Sequence, residues 1–413
     1  MQTVVTQTEK VAAKPSWLRS PQRVWLRRVI FQVHLWLGIV VALYSIVIGL
    51  SGSALVFKEQ IQHATEPELY RASTAPRTVT LDQMVHRIEA DRPGWRVSGL
   101  QHFDEGNVPV TALMGRRGAP PTPNYRAVIF DRNSGQILRD RMRFDGVLGW
   151  ITNLHFYLLA GKPGIMISGW MALGLLILCL SGVVLWWPGV KRWAGALILR
   201  LHRNRHRDTL NWKRLNWDMH SVVGFWCSLA LLAVSFTGIY FAFPKTVRNI
   251  TVLATGEDPR KAAAEDEAAP KKPAPSKLPA LTVDQAIDAA RRALPAEAPA
   301  GYFATPYKPG GPFFVTGYYR GALPYSQLIR VTLDPHTGSV LDYSDSTKSS
   351  RGLRAVQYFF TVHFGSFGGD GALGIVVRIL WVLVGIAPAL LAVTGLIMYW
   401  NRKLHPMWRR MKA

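Results

Sequence analysis

Four of the eleven histidines occupy matching positions in an internal repeat of this 413-residue chain. They are His34 and its repeat mate His220, and His155 and its repeat mate His363. Imidazole nitrogens are common ligands of transition metals. If approximate two-fold symmetry brings each histidine toward its mate, the chain holds two facing pairs of imidazoles. A facing pair between apolar helices predicts a b-type haem with two axial histidines, so we expect two haems.

Glycines accompany the first of these pairs at fixed spacings. Gly38 and Gly224 follow His34 and His220 by four residues, about one helical turn. A second set, Gly52 and Gly238, follows by 18 residues, which keeps the histidine's side of the helix about 27 Å further along. A missing side chain lets a flat macrocycle approach the backbone, so the spacing predicts that one set borders an inner haem and the other an outer haem. Helix packing is the alternative role of small residues in membrane helices.

Other interpretations of the four histidines have less support. A single histidine at the end of a membrane helix is usually an interfacial or packing residue, but the repetition favours ligation. Zinc is a weaker alternative, because the cysteines and carboxylates that usually complete such a site are missing nearby. The chain has no Cys-x-x-Cys-His motif for covalent haem attachment, and its two cysteines exclude a disulfide scaffold. It also has no Gly-rich nucleotide loop.

Four apolar runs position these histidines. They lie within residues 29–57, 165–187, 216–243 and 372–400 and carry two charged residues, Asp218 and Arg378. Each run is long enough to cross a hydrocarbon core of about 30 Å, so the sequence predicts a polytopic α-helical membrane protein with four transmembrane helices. Arg378 is a candidate partner for a haem propionate, and extension toward the membrane surface is the alternative.

The net charge of +23 predicts the orientation of these helices. Residues 1–28, 188–215 and 401–413 together carry 19 basic and 2 acidic residues, whereas the long segments 58–164 and 244–371 each have a net charge of +3. The positive-inside rule therefore predicts that both termini and the middle loop are cytoplasmic and that the long segments are periplasmic, in a bacterial inner membrane. Because the basic residues flank the membrane helices, a nucleic-acid-binding function is excluded.

The two long segments also repeat each other. Thr80-Leu-Asp-Gln83 and Thr282-Val-Asp-Gln285 each begin a helix-like stretch. About 50 residues later, each segment has an Asp-x-x-Ser/Thr-Gly sequence, beginning at Asp131 and Asp334, that is typical of a tight turn between strands. Each segment therefore predicts a small α+β domain, and residues 256–280 of the second predict an exposed linker.

These motifs resemble the PepSY-associated transmembrane helix family over about residues 25–405. That family covers iron-regulated inner-membrane proteins, including ferrisiderophore reductases. The resemblance implies PepSY-like outer domains, b-type haem bound by the four repeated histidines, and reduction of siderophore-bound iron in the periplasm.

The sequence thus favours an oxidoreductase that carries electrons across the membrane to a ferric siderophore or a related iron chelate. Electrons would come from a membrane quinol or a cytoplasmic reductase and leave to a chelate held between the outer domains. One alternative is a non-enzymatic sensory or protease-inhibitor module anchored in lipid. A siderophore transporter is another, although four helices are few for that role.

Overall fold

The computed structural model describes residues 17–18, 21–104, 106–120, 122–203, 209–266, 272–306, 310–369 and 371–412. Parts of the predicted amino-terminal tail (1–16 and 19–20), of the middle loop (204–208) and of the linker (267–271) lie outside the described residues. The chain divides into two compact units. The first unit comprises Met1–Gly49, Met171–Ser235 and Val384–Ala413, and the second comprises Leu50–Trp170 and Phe236–Leu383.

The helices and strands follow the same order in both halves of the chain, except that α9 has no counterpart in the first half. The helices are α1 (Trp25–Leu55), α2 (Lys58–Thr65), α3 (Leu81–Ala90), α4 (Gly146–Tyr157), α5 (Gly161–Trp186), α6 (Trp193–Ala196), α7 (Trp212–Ala242), α8 (Pro244–Ala254), α9 (Pro259–Asp266), α10 (Val283–Ala293), α11 (Arg351–Phe364), α12 (Ala372–Tyr399) and α13 (His405–Met411). The strands are β1 (Trp95–Gln101), β2 (Val110–Arg116), β3 (Arg126–Phe130), β4 (Ile137–Met142), β5 (Ala300–Ala304), β6 (Phe313–Tyr318), β7 (Leu328–Leu333) and β8 (Val340–Asp345).

Helices α1, α5, α7 and α12 are long and apolar enough to cross a membrane. Each has an 18-residue window with a mean hydropathy of at least 2.0, and at most 28% of any such window is buried inside the protein. Apolar side chains that face outward in this number need lipid around them. The predicted polytopic helical fold with four membrane helices is therefore confirmed.

All four membrane helices extend beyond the predicted apolar runs: α1, α5 and α7 begin at Trp25, Gly161 and Trp212, and the fourth continues to Met411. Helix α7 begins at Trp212 because the side-chain oxygen of Asn211 accepts a hydrogen bond from the Arg214 backbone amide at 3.1 Å, which is a helix N-cap. After α12, a short π-helix (Trp400–Leu404) and α13 continue the helical path to Met411. The basic sequence after residue 400, predicted as a cytoplasmic tail, is thus helical as far as Met411.

The second unit contains a single antiparallel sheet with the strand order β4-β3-β2-β1-β5-β6-β7-β8. Each half of the chain supplies four consecutive antiparallel strands, but the two predicted α+β domains are not separate. Strands β1 and β5 pair through Gly99 with Ala304 and Leu100 with Phe303, and both halves share one hydrophobic core under α3 and α10. The chelate that was expected to lie between two outer domains therefore has no two separate domains to lie between.

Helices α3 and α10 contact each other at their first turns. Both begin with a capping box, at Thr80 and Thr282. The Asp82 carboxylate also accepts a hydrogen bond from the Val283 amide at 3.0 Å, and the Asp284 carboxylate accepts one from the Asp82 amide at 2.8 Å. Each repeat therefore caps the first turn of the other repeat's helix.

The predicted tight turns are present at the same place in both repeats. One side-chain oxygen of Asp131, and likewise of Asp334, accepts hydrogen bonds from the second and third following backbone amides. Gly135 and Gly338 have φ values of +72° and +68°, a conformation that a side chain would strain. The turn prediction is confirmed.

The predicted linker is more ordered than its composition indicates. Residues Pro259–Asp266 form α9, and Ala262 is 3% exposed in a small cluster with Val252 and Leu353. Alanine favours helices and is small enough to pack closely, which explains the difference from the prediction.

Candidate functional site

The first pair of repeated histidines, His34 and His220, comes together in the first unit. His34 lies on α1 and His220 on α7, and their ring centroids are 6.4 Å apart with the planes at 86°. An ion bound to two opposed imidazole nitrogens at about 2 Å each would hold the centroids roughly 6.3 Å apart. The observed distance therefore suits two ligands of one metal atom.

Hydroxyl groups from the two remaining membrane helices determine which ring nitrogen of the first pair is free. The Ser181 hydroxyl on α5 lies 2.8 Å from Nδ1 of His34, and the Thr394 hydroxyl on α12 lies 2.9 Å from Nδ1 of His220. Both hydroxyls donate their own proton to a carbonyl on their own helix at 2.7 Å. Each oxygen must then accept a hydrogen bond from Nδ1–H, and in a neutral imidazole this leaves Nε2 unprotonated and able to bind a metal.

The second pair, His155 and His363, has nearly the same arrangement in the second unit. His155 lies on α4 and His363 on α11, and the ring centroids are 6.3 Å apart with the planes at 55°. The Ser51 hydroxyl on α1 is 3.1 Å from Nδ1 of His155, and the Thr237 hydroxyl on α7 is 2.9 Å from Nδ1 of His363. The structure thus brings together both pairs of histidines that symmetry predicted.

Glycines lie directly against three of these imidazoles. A Cβ atom at Gly52 would lie 2.8 Å from Cε1 of His155, too close for the ring to keep its place. A Cβ atom at Gly182 or Gly395 would lie 3.4 Å from Cε1 of the nearer histidine of the first pair. Gly52 therefore gives room to the His155 ring, and its predicted place beside a haem stays a prediction. Its mate Gly238 lies on α7 directly after Thr237.

A large cavity surrounds the first pair. Its volume is about 1380 Å³, above the range of about 300–1000 Å³ that small-molecule sites usually have. Gly38 and Gly224 line it, as predicted for residues beside a flat group, together with apolar side chains of α1, α5, α7 and α12. Five basic side chains also line it: Arg27, Arg28, Lys213, Arg402 and Lys403. Within the described part of the chain its lining includes no acidic residue, so the cavity suits an apolar group that carries carboxylates.

Two charged residues of the membrane helices have different surroundings. Arg378 on α12 belongs to the second unit and is only 7% exposed, so its side chain does not reach freely into solvent. Asp218 on α7 is 4% exposed and forms a salt bridge with Arg214 at 3.0 Å. It lies six residues inside α7, and its carboxylate is 3.5 Å from Nδ1 of His202, an imidazole outside the four repeated histidines.

The sequence interpretation missed the hydroxyl partners of the four imidazoles. Each membrane helix carries at least one Ser-Gly or Thr-Gly dipeptide, and α5 carries two, at Ser168 and Ser181. Serine and threonine in membrane helices usually bond to their own backbone, so the dipeptide alone does not indicate a histidine partner. The recurrence of the dipeptide in all four helices is the sequence signal that could have identified these hydroxyls as histidine partners.

A bare metal ion has no suitable site in the described ranges. No three or more histidine, cysteine, aspartate or glutamate side chains gather there in a way that could hold one. The zinc alternative would need such a group. A metal that is already held by a macrocycle would need only two further ligands from the protein. Each histidine pair could provide these two.

The four membrane helices and the antiparallel sheet define a multi-pass membrane protein with a large β-sheet unit. The chain belongs to the family of the PepSY-associated TM region, whose sequence model matches residues 31–402. The resemblance seen in the motifs is thereby confirmed at the level of the family. No curated protein is significantly similar to the chain.

Proposed function

We propose that the protein binds two b-type haems, one at each histidine pair, and reduces a ferric siderophore or a related iron chelate on the outer side of the bacterial inner membrane. The observation that carries this proposal is the repeated geometry of the imidazoles. Two pairs in two different units have centroid distances of 6.4 and 6.3 Å, and in both pairs a hydroxyl lies within hydrogen-bonding distance of each Nδ1. Packing alone gives no reason for this agreement.

The residues around the first pair fit haem in three respects. The imidazoles would supply two nitrogen ligands, the cavity is large and mostly apolar, and its basic side chains would match the carboxylates of the propionates. Bound haem would accept and release one electron at a time. The chain's own contribution is to hold the ligand rings, to keep the proton on Nδ1, and to exclude water with apolar side chains. Arg378 is a candidate propionate partner in the second unit.

The direction of electron flow follows from the charge distribution. We infer that the first pair is nearer the cytoplasm, because the strongly basic segments 1–28, 188–215 and 401–413 flank that end of the helices. Electrons would enter there from a membrane quinol or a cytoplasmic reductase and leave from the second pair. One electron converts chelated Fe(III) to Fe(II), which hard oxygen ligands bind much less strongly, so the iron is released.

The proposed activity is tested with purified protein in lipid nanodiscs. The protein is reduced with a limited amount of dithionite and mixed with ferric chelates, while a Fe(II)-specific dye reports released iron. We expect the reduced Soret band to return to the oxidised position as one Fe(II) appears for each electron. A protein that stays reduced with every ferric chelate, or that has no Soret band, would contradict the proposal.

The same purified protein in nanodiscs distinguishes the two candidate electron donors. A water-soluble analogue of a membrane quinol reduces the haem of the purified protein if quinol is the donor. If only a cytosolic extract with a nicotinamide cofactor reduces it, the donor is a cytoplasmic reductase.

A further inference from the structure

One face of the sheet in the second unit carries a group of exposed aromatic side chains. Phe314, Thr316 and Tyr318 share one face of β6, where Phe314 is 43% and Tyr318 39% exposed, whereas Val315 and Gly317 between them are buried. The sheet register places Tyr302 opposite Thr316, and Arg330 on the other side of Thr316. Directly opposed residues point to the same face of a sheet. The four side chains therefore form one surface.

Two glycines beneath this surface leave room for the tyrosine rings. A Cβ atom at Gly301 would lie 2.6 Å from the Tyr318 ring, and one at Gly99 would lie 2.8 Å from the Tyr302 hydroxyl. Bulges in β5 and β1 occur next to these glycines. Each ring therefore lies against bare backbone, where the neighbouring strand has no side chain to cover it.

A fifth side chain, Tyr325, lies in the β6–β7 connection, close enough to Tyr318, and to Glu59 on α2, to interact electrostatically with both. It is 48% exposed and has a φ of +63°, which is strained for a tyrosine. The loop is held in this shape by α11, because the Thr361 hydroxyl donates to the Pro324 carbonyl at 2.5 Å and the Gln327 side chain donates to the Tyr358 hydroxyl at 3.3 Å. We call Tyr302, Phe314, Tyr318, Tyr325 and Arg330 the tyrosine face.

The tyrosine face is continuous with the second histidine pair. The Tyr325 ring is 5.8 Å from Phe360 and 5.7 Å from Phe364, both on α11. Phe360 is 4.9 Å from Phe241, which is 5.0 Å from His363. Rings in contact thus lead from an exposed tyrosine to a histidine proposed to bind haem, so a molecule on Tyr325 lies at the end of an unbroken aromatic path.

We propose that the tyrosine face is the docking surface for the iron chelate, and that it favours negatively charged chelates that hold iron through aromatic rings. This inference rests on the proposed function. Flat ligand rings stack on the exposed tyrosines, and Arg330 attracts the negative charge. Chelated Fe(III) takes up one electron there and becomes Fe(II), and the electron is replaced from the quinol or reductase donor. No covalent bond to the protein forms or breaks.

Binding is tested with gallium(III) chelates, which imitate ferric chelates but accept no electron. The probes are the trianionic gallium tris(catecholate) and the neutral, non-aromatic gallium tris(acetohydroxamate), titrated into the oxidised full-length protein in nanodiscs. Tyr325→Ser and Tyr318→Ser are compared with Tyr343→Ser. Tyr343 is a matched control, because it is 44% exposed and lies opposite the buried Val331, on the other face of the same sheet.

We expect the wild type to bind the catecholate at least tenfold more tightly than the hydroxamate. Either serine substitution in the tyrosine face should weaken catecholate binding by about tenfold, and the control should change it by less than about twofold. Arg330→Gln should remove most of the salt dependence of binding. Equal affinities for the two probes, or tyrosine-face variants that bind like the wild type, would overturn the inference.

The design separates this inference from the proposed function. Gallium binding requires no electron transfer, so a colourless protein that still binds catecholate through Tyr325 would refute the reductase and keep the docking surface. If a serine variant fails to fold, Tyr325→Phe keeps the ring and must retain binding, while Tyr325→Leu must lose it.

Discussion

At the scale of single residues, the metal ligation proposed for the two histidine pairs depends on four hydroxyl groups. Ser51, Ser181, Thr237 and Thr394 each lie within hydrogen-bonding distance of Nδ1 of one imidazole. At Ser181 and Thr394 the hydroxyl proton is already committed to a helix carbonyl, which fixes the imidazole proton on Nδ1. The histidines and their spacing were predictable from the sequence. Their hydroxyl partners were not, because the contacts join residues that lie between 104 and 174 positions apart in the chain, and only packing reveals them.

Removing one of these hydroxyls should weaken haem binding without removing a ligand. Ser181→Ala leaves Nδ1 of His34 without its partner, and the loss of such an orienting hydrogen bond typically lowers metal affinity by about 10- to 100-fold. Haem retention during transfer to apomyoglobin measures the effect. Ser228→Ala is the control, because Ser228 also lies on a membrane helix but donates to the Phe225 carbonyl of its own helix. Equal haem loss from both variants would contradict a specific role for Ser181.

At the scale of helices and strands, the features that depend on local sequence patterns were predicted correctly. The four apolar runs, the helix starts at Thr80 and Thr282, and the two aspartate turns all occur where expected. The joining of the two sheets was not predictable, because β1 and β5 lie about 200 residues apart and their pairing depends on edge strands that have no distinct composition. The eight-stranded sheet therefore requires strands from both repeats.

The turn at Asp334 should contribute to stability in a pH-dependent way. Burial alone raises the pKa of this carboxyl, but hydrogen bonds from the Thr337 and His336 amides outweigh it and hold the pKa below the ordinary value of 3.8. A depressed pKa means that the stabilisation is present at neutral pH and is lost as the pH falls through the folded-state pKa. Asp334→Ala should therefore destabilise the β7–β8 turn by about 1–3 kcal/mol at pH 7 and by less below about pH 4.

Hydrogen exchange followed by mass spectrometry measures this difference in the peptide that covers the turn. Asp342→Ala on β8 removes a carboxylate of the same strand pair and serves as the control. The interpretation fails if the control speeds exchange in the turn as much as Asp334→Ala does, or if the effect of Asp334→Ala is unchanged at low pH.

At the scale of the whole molecule, the duplication explains why the chain has two histidine pairs and one sheet. Each repeat supplies one histidine to each pair and four strands to the sheet. Neither site is complete with one repeat alone. The net charge of +23 is concentrated in three short segments beside the membrane helices, which agrees with a role in orientation.

This orientation predicts the outcome of reporter fusions. Alkaline phosphatase, which is active only after export, should be active when fused after residue 280 in the second long segment. Green fluorescent protein, which matures in the cytoplasm, should be fluorescent when fused after residue 413. Inactive phosphatase at residue 280 together with a dark carboxy-terminal fusion would reverse the proposed direction of electron flow.

Haem stoichiometry tests the central claim most directly. A pyridine haemochrome assay, with iron and protein quantified in the same sample, should give two b-type haems per chain for the wild type. His34→Ala and His155→Ala should each retain one, and His86→Ala, on the exposed surface of α3, should retain two. A colourless wild-type protein, or a haem content that does not fall in a variant lacking both His34 and His155, would contradict the account.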